Sequence, residues 1–81
     1  MITIYGRPSC PFCEAAKGMC QTLGAEYEYK LVSDVAEEHK KLVQEYNHHT
    51  VPLIMVNGTF IGGFTEFQQA HKSGKLKELL G

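Results

Sequence analysis

Two cysteines three residues apart, Cys10 and Cys13, are the residues of this 81-residue chain whose types and spacing can do chemistry. Side chains at i and i+3 of a helix are neighbours, and their separation matches the roughly 4.4–6.8 Å between α-carbons that a disulfide accepts. A reversible bridge is therefore geometrically cheap, and thiol–disulfide exchange is the chemistry it supports. If Cys10 caps a helix, Pro11 falls at the first helical position, where its missing amide proton costs nothing and its fixed φ suits the turn. Unpaired amides and the dipole at that end then favour the Cys10 thiolate, which is the nucleophile. Arg7 just upstream and Lys17 two turns along add positive charge. Cys13, inside the first turn, is expected to lean toward the core, more buried and less ionised. Attack is assigned to Cys10 and resolution to Cys13. The competing reading is half of a zinc site. A structural zinc site needs four ligands, and only Cys20 and four histidines remain to complete it, so no metal is expected.

Length and composition bound the rest. Eighty-one residues make one small domain, residues 1–81, near the size where a single core is only just sufficient. A hydrophobic content of 43% is ordinary for a globular chain, and a net charge of −1 argues against nucleic acid or an anionic membrane as the main partner. No run is long and apolar enough to span a bilayer. Met1-Ile2-Thr3-Ile4-Tyr5 lacks the basic and apolar regions of a signal peptide, so secretion is not expected. The odd cysteine count fits a reducing compartment and a catalytic pair, with the cytoplasm as the default.

The elements that must position the cysteines follow from periodicity. Ile2-Thr3-Ile4-Tyr5 reads as a strand ended by Gly6. Phe12, Ala15, Ala16, Met19, Cys20 and Leu23 recur at the spacing of one buried helix face, with Gly24 as the stop. Cys20 lies two turns beyond Cys13, on the order of 10 Å away, and reads as a small core residue. Tyr27, Tyr29 and Leu31 alternate with charged residues as a second strand. Asp34 and Glu37 form a capping-box pattern opening a helix whose inner face is Val35, His39, Leu42, Val43 and Tyr46. Leu53-Ile54-Met55-Val56 suits a central strand, Asn57-Gly58 a type I′ turn, and Thr59-Phe60-Ile61 the returning strand. Thr65 and Gln68 repeat the capping-box spacing, and Leu76, Leu79 and Leu80 close the chain as a short helix. The order β-α-β-α-β-β-α predicts an α/β fold, a four-stranded mixed sheet flanked by helices with its first two strands parallel.

Three motifs in register, Cys10-Pro11-Phe12-Cys13, Thr50-Val51-Pro52 and Gly62-Gly63-Phe64-Thr65-Glu66, resemble those of a dithiol glutaredoxin of the thioredoxin fold. The resemblance covers essentially the whole chain. It implies a glutathione-dependent thiol–disulfide oxidoreductase with glutathione as co-substrate. It also implies that Pro52 is cis and that the Val51 backbone, with Thr50 beside it, pairs with the cysteinyl part of glutathione. The γ-glutamyl end would meet Gly63, Phe64, Thr65 and Glu66, its carboxylate held by helix amides. Glu66 stands where an aspartate is more usual, and its alternative role is to complement the helix dipole. Arg7 matches a basic residue that pairs with the glycine carboxylate, the alternative being a solvated charge. Phe12 replaces a rim tyrosine. His48 or His49 would lie at the same rim, where some relatives carry arginine, or both are plain loop residues.

The partners so implied are glutathione and glutathionylated or disulfide-bonded proteins, with a ribonucleotide reductase among the candidates, and the chain itself is expected to be a monomer. Two rivals stand beside this reading. One is a redoxin reduced directly by a thioredoxin reductase. The other is a dimer bridging a [2Fe-2S] cluster through Cys10 and two glutathiones, against which Pro11 argues, since cluster-carrying relatives usually have glycine there.

Overall fold

A computed structural model describes residues 1–81. Its elements are β1 (Ile2–Gly6), α1 (Pro11–Leu23), β2 (Tyr27–Leu31), α2 (Ala36–Tyr46), β3 (Leu53–Val56), β4 (Thr59–Gly62), α3 (Phe64–Lys72) and α4 (Lys75–Leu80). The strands form one mixed sheet in the order β2-β1-β3-β4. β1 runs parallel to β2, with Ile4 opposite Tyr29, and antiparallel to β3, with Ile4 opposite Ile54. β3 and β4 form the hairpin expected around Asn57-Gly58, whose φ values of 48° and 85° are those a type I′ turn requires. A register shift between Ile54 and Met55 leaves Gly62 opposite Ile54 at the end of β4.

The central strands carry the core because both of their faces are covered. Ile2, Ile4, Ile54 and Val56 are fully buried, and Ala16 and Cys20 of α1, Phe67 and Ala70 of α3 and Leu76 of α4 pack on them. Burying each of the larger aliphatic side chains stabilises the fold by about 1.5–3 kcal/mol. This cluster fixes α1, and with it the cysteine pair, against β1.

Three sequence expectations change. In α1, Ala16, Met19, Cys20 and Leu23 pack on the core as expected and Cys13 joins them, whereas Phe12 and Ala15 face solvent. Asp34 does not cap α2. Its amide closes a turn onto the Leu31 carbonyl at 2.9 Å, and the helix begins at Ala36 with no side-chain cap. Nor does Thr65 cap α3. The cap lies two residues earlier, at Gly63, with Glu66, rather than Gln68, reaching back to accept the Gly63 amide at 2.7 Å. A carboxylate makes the stronger, charge-assisted bond at this position.

The inner face expected for α2 is the observed one, but Val35, His39, Leu42, Val43 and Tyr46 are all only half-buried. The helix is held at two points instead. Tyr46 stacks on Phe60 of β4 with ring centroids 4.4 Å apart. At the other end Glu38 accepts hydrogen bonds from the Tyr5 hydroxyl and, at 3.0 Å, from Lys30 Nζ. These donors hold the Glu38 carboxyl below its ordinary pKa, the Tyr5 hydrogen bond contributing most. Burial first, and then Glu38, push the Tyr5 hydroxyl well above its own range. The sign for stability follows: a depressed carboxyl pKa contributes stability above the unfolded value, and that contribution is lost as pH falls through the folded value. Glu38→Gln should therefore cost about 1 kcal/mol at pH 7, a modest figure because the site is largely exposed. The gap between the two urea unfolding curves should narrow as the pH falls below the ordinary carboxyl range. A gap unchanged at pH 3 would remove the carboxylate charge as its source.

Candidate active site

The cysteine pair sits where β1 hands over to α1. Cys10 is the N-cap, extended at φ −107° and ψ 106°, and Pro11 is the first helical residue. The Cys13 amide donates to Cys10 Sγ at 3.2 Å. Cys10 and Cys13 are joined by a disulfide with their α-carbons 5.2 Å apart. Cys13 is fully buried, whereas Cys10 is partly open to solvent. The two sulfurs are thus chemically unequal: the outer one can be reached by an incoming thiolate and has a helix amide aimed at it. Such an amide stabilises negative charge on sulfur. Ser9, just before Cys10, has φ 57°, the left-handed region that non-glycine residues seldom occupy, and it turns the chain into the helix.

Beside the bridge runs a groove of about 190 Å³ built by three segments. Phe12 comes from the first turn of α1. Thr50, Val51 and Pro52 come from the entrance to β3, where the Val51–Pro52 bond is cis as expected. Gly63, Phe64, Thr65 and Glu66 come from the start of α3. The structure therefore gathers eight of the residues singled out in the sequence into one lining. Arg7 does not join it: its side chain is exposed, and its carbonyl accepts from the Tyr29 hydroxyl at 3.2 Å. Phe12 is 62% exposed, with its ring 6.0 Å from that of Phe64, so the two aromatics form an open apolar rim.

Glu66 resolves one open alternative in part. Its Oε1 already accepts the Gly63 amide, so the side chain serves its own helix and leaves the second carboxylate oxygen for any ligand ammonium. His48 and His49 part company. His48 completes the lining, donating from Nε2 to the Pro52 carbonyl at 3.1 Å and meeting the Phe60 ring edge-on at 5.6 Å. His49 instead stands 2.8 Å from Asn47 Oδ1, outside the groove. An aromatic column, Tyr46 on Phe60 and Phe60 against His48, thus braces the Pro52 loop. Larger hollows of about 380, 390 and 240 Å³ lie by α4, between β4 and α3, and beside Met1 and Leu80, but none is lined by a residue of the Cys10–Cys13 turn, as the groove is by Phe12. No three His, Cys, Asp or Glu side chains converge as a metal-binding group.

The glutaredoxin family model matches residues 2–61, nearly three quarters of the chain. The chain belongs to the glutaredoxin family. It is 37% identical over 84 residues to glutaredoxin-2, mitochondrial, of Bos taurus, an alignment covering 98% of this chain and 52% of that protein. It spans about half the length of the mammalian relatives it matches. Among solved structures it superposes on a buckwheat glutaredoxin–glutathione complex with a TM-score of 0.87 at 28% identity, covering 98% of this chain and 74% of that one. It also superposes on the dithiolic glutaredoxin 2-C-Grx1 of Trypanosoma brucei brucei with a TM-score of 0.84 at 30% identity, over 99% and 86% of the two chains. The fold is thus the thioredoxin-like one of the family, and Cys10 and Cys13 make this a dithiol glutaredoxin.

The third thiol of this glutaredoxin takes no part in the site. Cys20 is fully buried in the core cluster, and desolvation pushes its pKa up to about 11. A thiol so raised carries almost no thiolate at neutral pH. With the Cys10–Cys13 bridge intact, iodoacetamide should leave the native protein unlabelled at pH 8 and add one label only in denaturant. Labelling of native protein at Cys20 would contradict its assignment to the core.

Proposed function

We propose that this chain is a glutathione-dependent thiol–disulfide oxidoreductase that reduces glutathione mixed disulfides and protein disulfides through Cys10 and Cys13. The observation that carries the reading is the unequal pair, an accessible sulfur at a helix N-terminus bridged to a buried one, beside a groove bordered by Phe12 of the same turn. Cys10 thiolate attacks the glutathione sulfur of a mixed disulfide, the target thiolate leaves, and glutathione stays on Cys10. A second glutathione thiolate attacks that bound sulfur, releasing glutathione disulfide and restoring Cys10. With a protein disulfide, Cys10 forms the mixed disulfide, Cys13 displaces the target's second thiol, and two glutathiones reopen the bridge. Binding follows from the groove chemistry. The Val51 main chain suits an extended cysteinyl unit, and the α3 N-terminus, from Gly63 to Thr65, suits the γ-glutamyl carboxylate. Arg7 is assigned to the glycine carboxylate from the exposed side, where its guanidinium is free to swing toward the ligand. The buckwheat relative's complex with glutathione supports the same ligand here. Target proteins are glutathionylated or disulfide-bonded chains, a ribonucleotide reductase among the candidates, in a reducing compartment such as the cytoplasm.

The test couples turnover of a glutathione mixed disulfide to NADPH consumption through glutathione and glutathione reductase. Cys10→Ser should lose activity by about a hundredfold or more, because the nucleophile is gone. Cys13→Ser should retain turnover of the mixed disulfide while losing reduction of protein disulfides. Equal loss in both variants would overturn this division of labour. Turnover with thioredoxin reductase in place of glutathione would move the chain to the directly reduced redoxins.

A further inference from the structure

The proposed cycle uses Cys13 as a sulfur that leaves when the bridge opens and returns when it closes, yet the helix amide that could receive its charge is turned elsewhere. The Cys13 N–H donates to Cys10 Sγ, and Cys13 itself is fully buried. A thiolate released there would be an unpaired buried anion, which is costly without a donor. One donor is at hand. Gly6, the last residue of β1, carries no side chain, and two groups occupy the space that one would fill. A methyl group there would strike the Tyr29 hydroxyl and stand 3.0 Å from Cys13 Sγ. The missing side chain at Gly6 is what lets Tyr29 of β2 and the resolving sulfur face the same gap.

We propose that the Tyr29 hydroxyl is the hydrogen-bond donor that receives the Cys13 thiolate as the Cys10–Cys13 bridge opens, turning from the Arg7 carbonyl to do so. A phenol has one proton and donates to one acceptor at a time. In the bridged state Cys13 Sγ carries no charge, and the proton goes to the Arg7 carbonyl at 3.2 Å. When an incoming thiolate bonds to Cys10 Sγ, the sulfur–sulfur bond breaks and its electron pair moves to Cys13 Sγ. The hydroxyl then swings onto that anion, which later takes a proton from water. Burial raises the Tyr29 pKa, Glu14 adding to the shift and Lys17 opposing it, so the phenol keeps the proton it must donate. Lys17 Nζ lies over the ring, 4.9 Å from its centroid, and brings positive charge to the same side. A leaving thiol that is better stabilised as an anion leaves faster. Tyr29 is therefore a positioning residue for the Cys13-dependent half of the chemistry. The inference rests on the thiol–disulfide reading above, but it does not need glutathione.

The experiment follows opening of the oxidised protein by dithiothreitol, quenched in acid, alkylated and read by mass. Tyr29→Phe should open about tenfold more slowly than wild type. Gly6→Ala, which fills the gap and displaces the hydroxyl, should slow opening similarly and carries the test if Tyr29→Phe does not fold. An opening rate within twofold of wild type in a folded variant would overturn the proposal. So would an equal loss of mixed-disulfide turnover when Tyr29→Phe is added to Cys13→Ser, where no bridge exists to open. Wild-type protein that opens normally with dithiothreitol but fails to turn over a glutathione mixed disulfide would defeat the functional reading and leave this one standing.

Discussion

Cys10 has to satisfy two geometries at once, and the rest of the site is arranged around that requirement. As an N-cap it must stay extended and turn its side chain toward the free amides of the first turn. As half of a bridge it must put its sulfur within bonding reach of a residue one turn further on. The two demands coincide only because the amide that Cys10 caps belongs to Cys13, the residue to which it is bonded. Pro11 holds the first turn in register without needing a partner for its nitrogen. Ala16 and Cys20, one and two turns beyond Cys13, clamp the same helix to the sheet, so the position of the reactive sulfur is set by the hydrophobic core.

The groove depends on that fixed point in a different way. Its walls come from segments distant in sequence, the loop that enters β3 and the first turn of α3 with its Gly63 cap. Both are tied down by short-range bonds of their own. His48 holds the Pro52 carbonyl, and Glu66 holds the Gly63 amide. Those bonds use side chains that could otherwise meet a ligand, which leaves main-chain groups as the more reliable recognition elements.

Much of this was legible in the residues because the signals were local. The Cys-Pro-x-Cys spacing, the Asn57-Gly58 turn, the apolar run from Leu53 to Val56 and the alternation from Tyr27 to Leu31 each encode their structure within a few positions. Helix starts were read less well. Val35 and Gly63 begin their helices without a side-chain hydrogen bond of their own, so the more conspicuous Asp34 and Thr65 drew the assignment. Periodicity alone sets Phe12 on the buried stripe, because hydrophobicity does not distinguish a buried aromatic from a rim aromatic, whereas the motif resemblance sets it at the rim, where it lies. Tyr29 was seen only as a strand residue with one covered face. Its approach to Cys13 runs over the absent side chain of Gly6, which no pattern of residue types announces. His48 was a choice between two neighbours that only the loop geometry could make.

Helix α2 is the element with no fully buried residue, joined to the sheet by the Glu38 hydrogen bonds at one end and the Tyr46–Phe60 stack at the other. Detaching it would uncover little apolar surface, so it can unfold as a unit at a free energy well below that of the whole molecule. Amides of α2 then exchange with solvent by local opening, whereas those of β1 and β3 wait for global unfolding. Because the chain leaves α2 directly into His48 and the Pro52 loop, each such opening loosens one wall of the groove while the cysteine pair stays seated on the core. One wall of the groove is thus joined to the least buried helix of the fold, and the cysteine pair to a helix packed on the core.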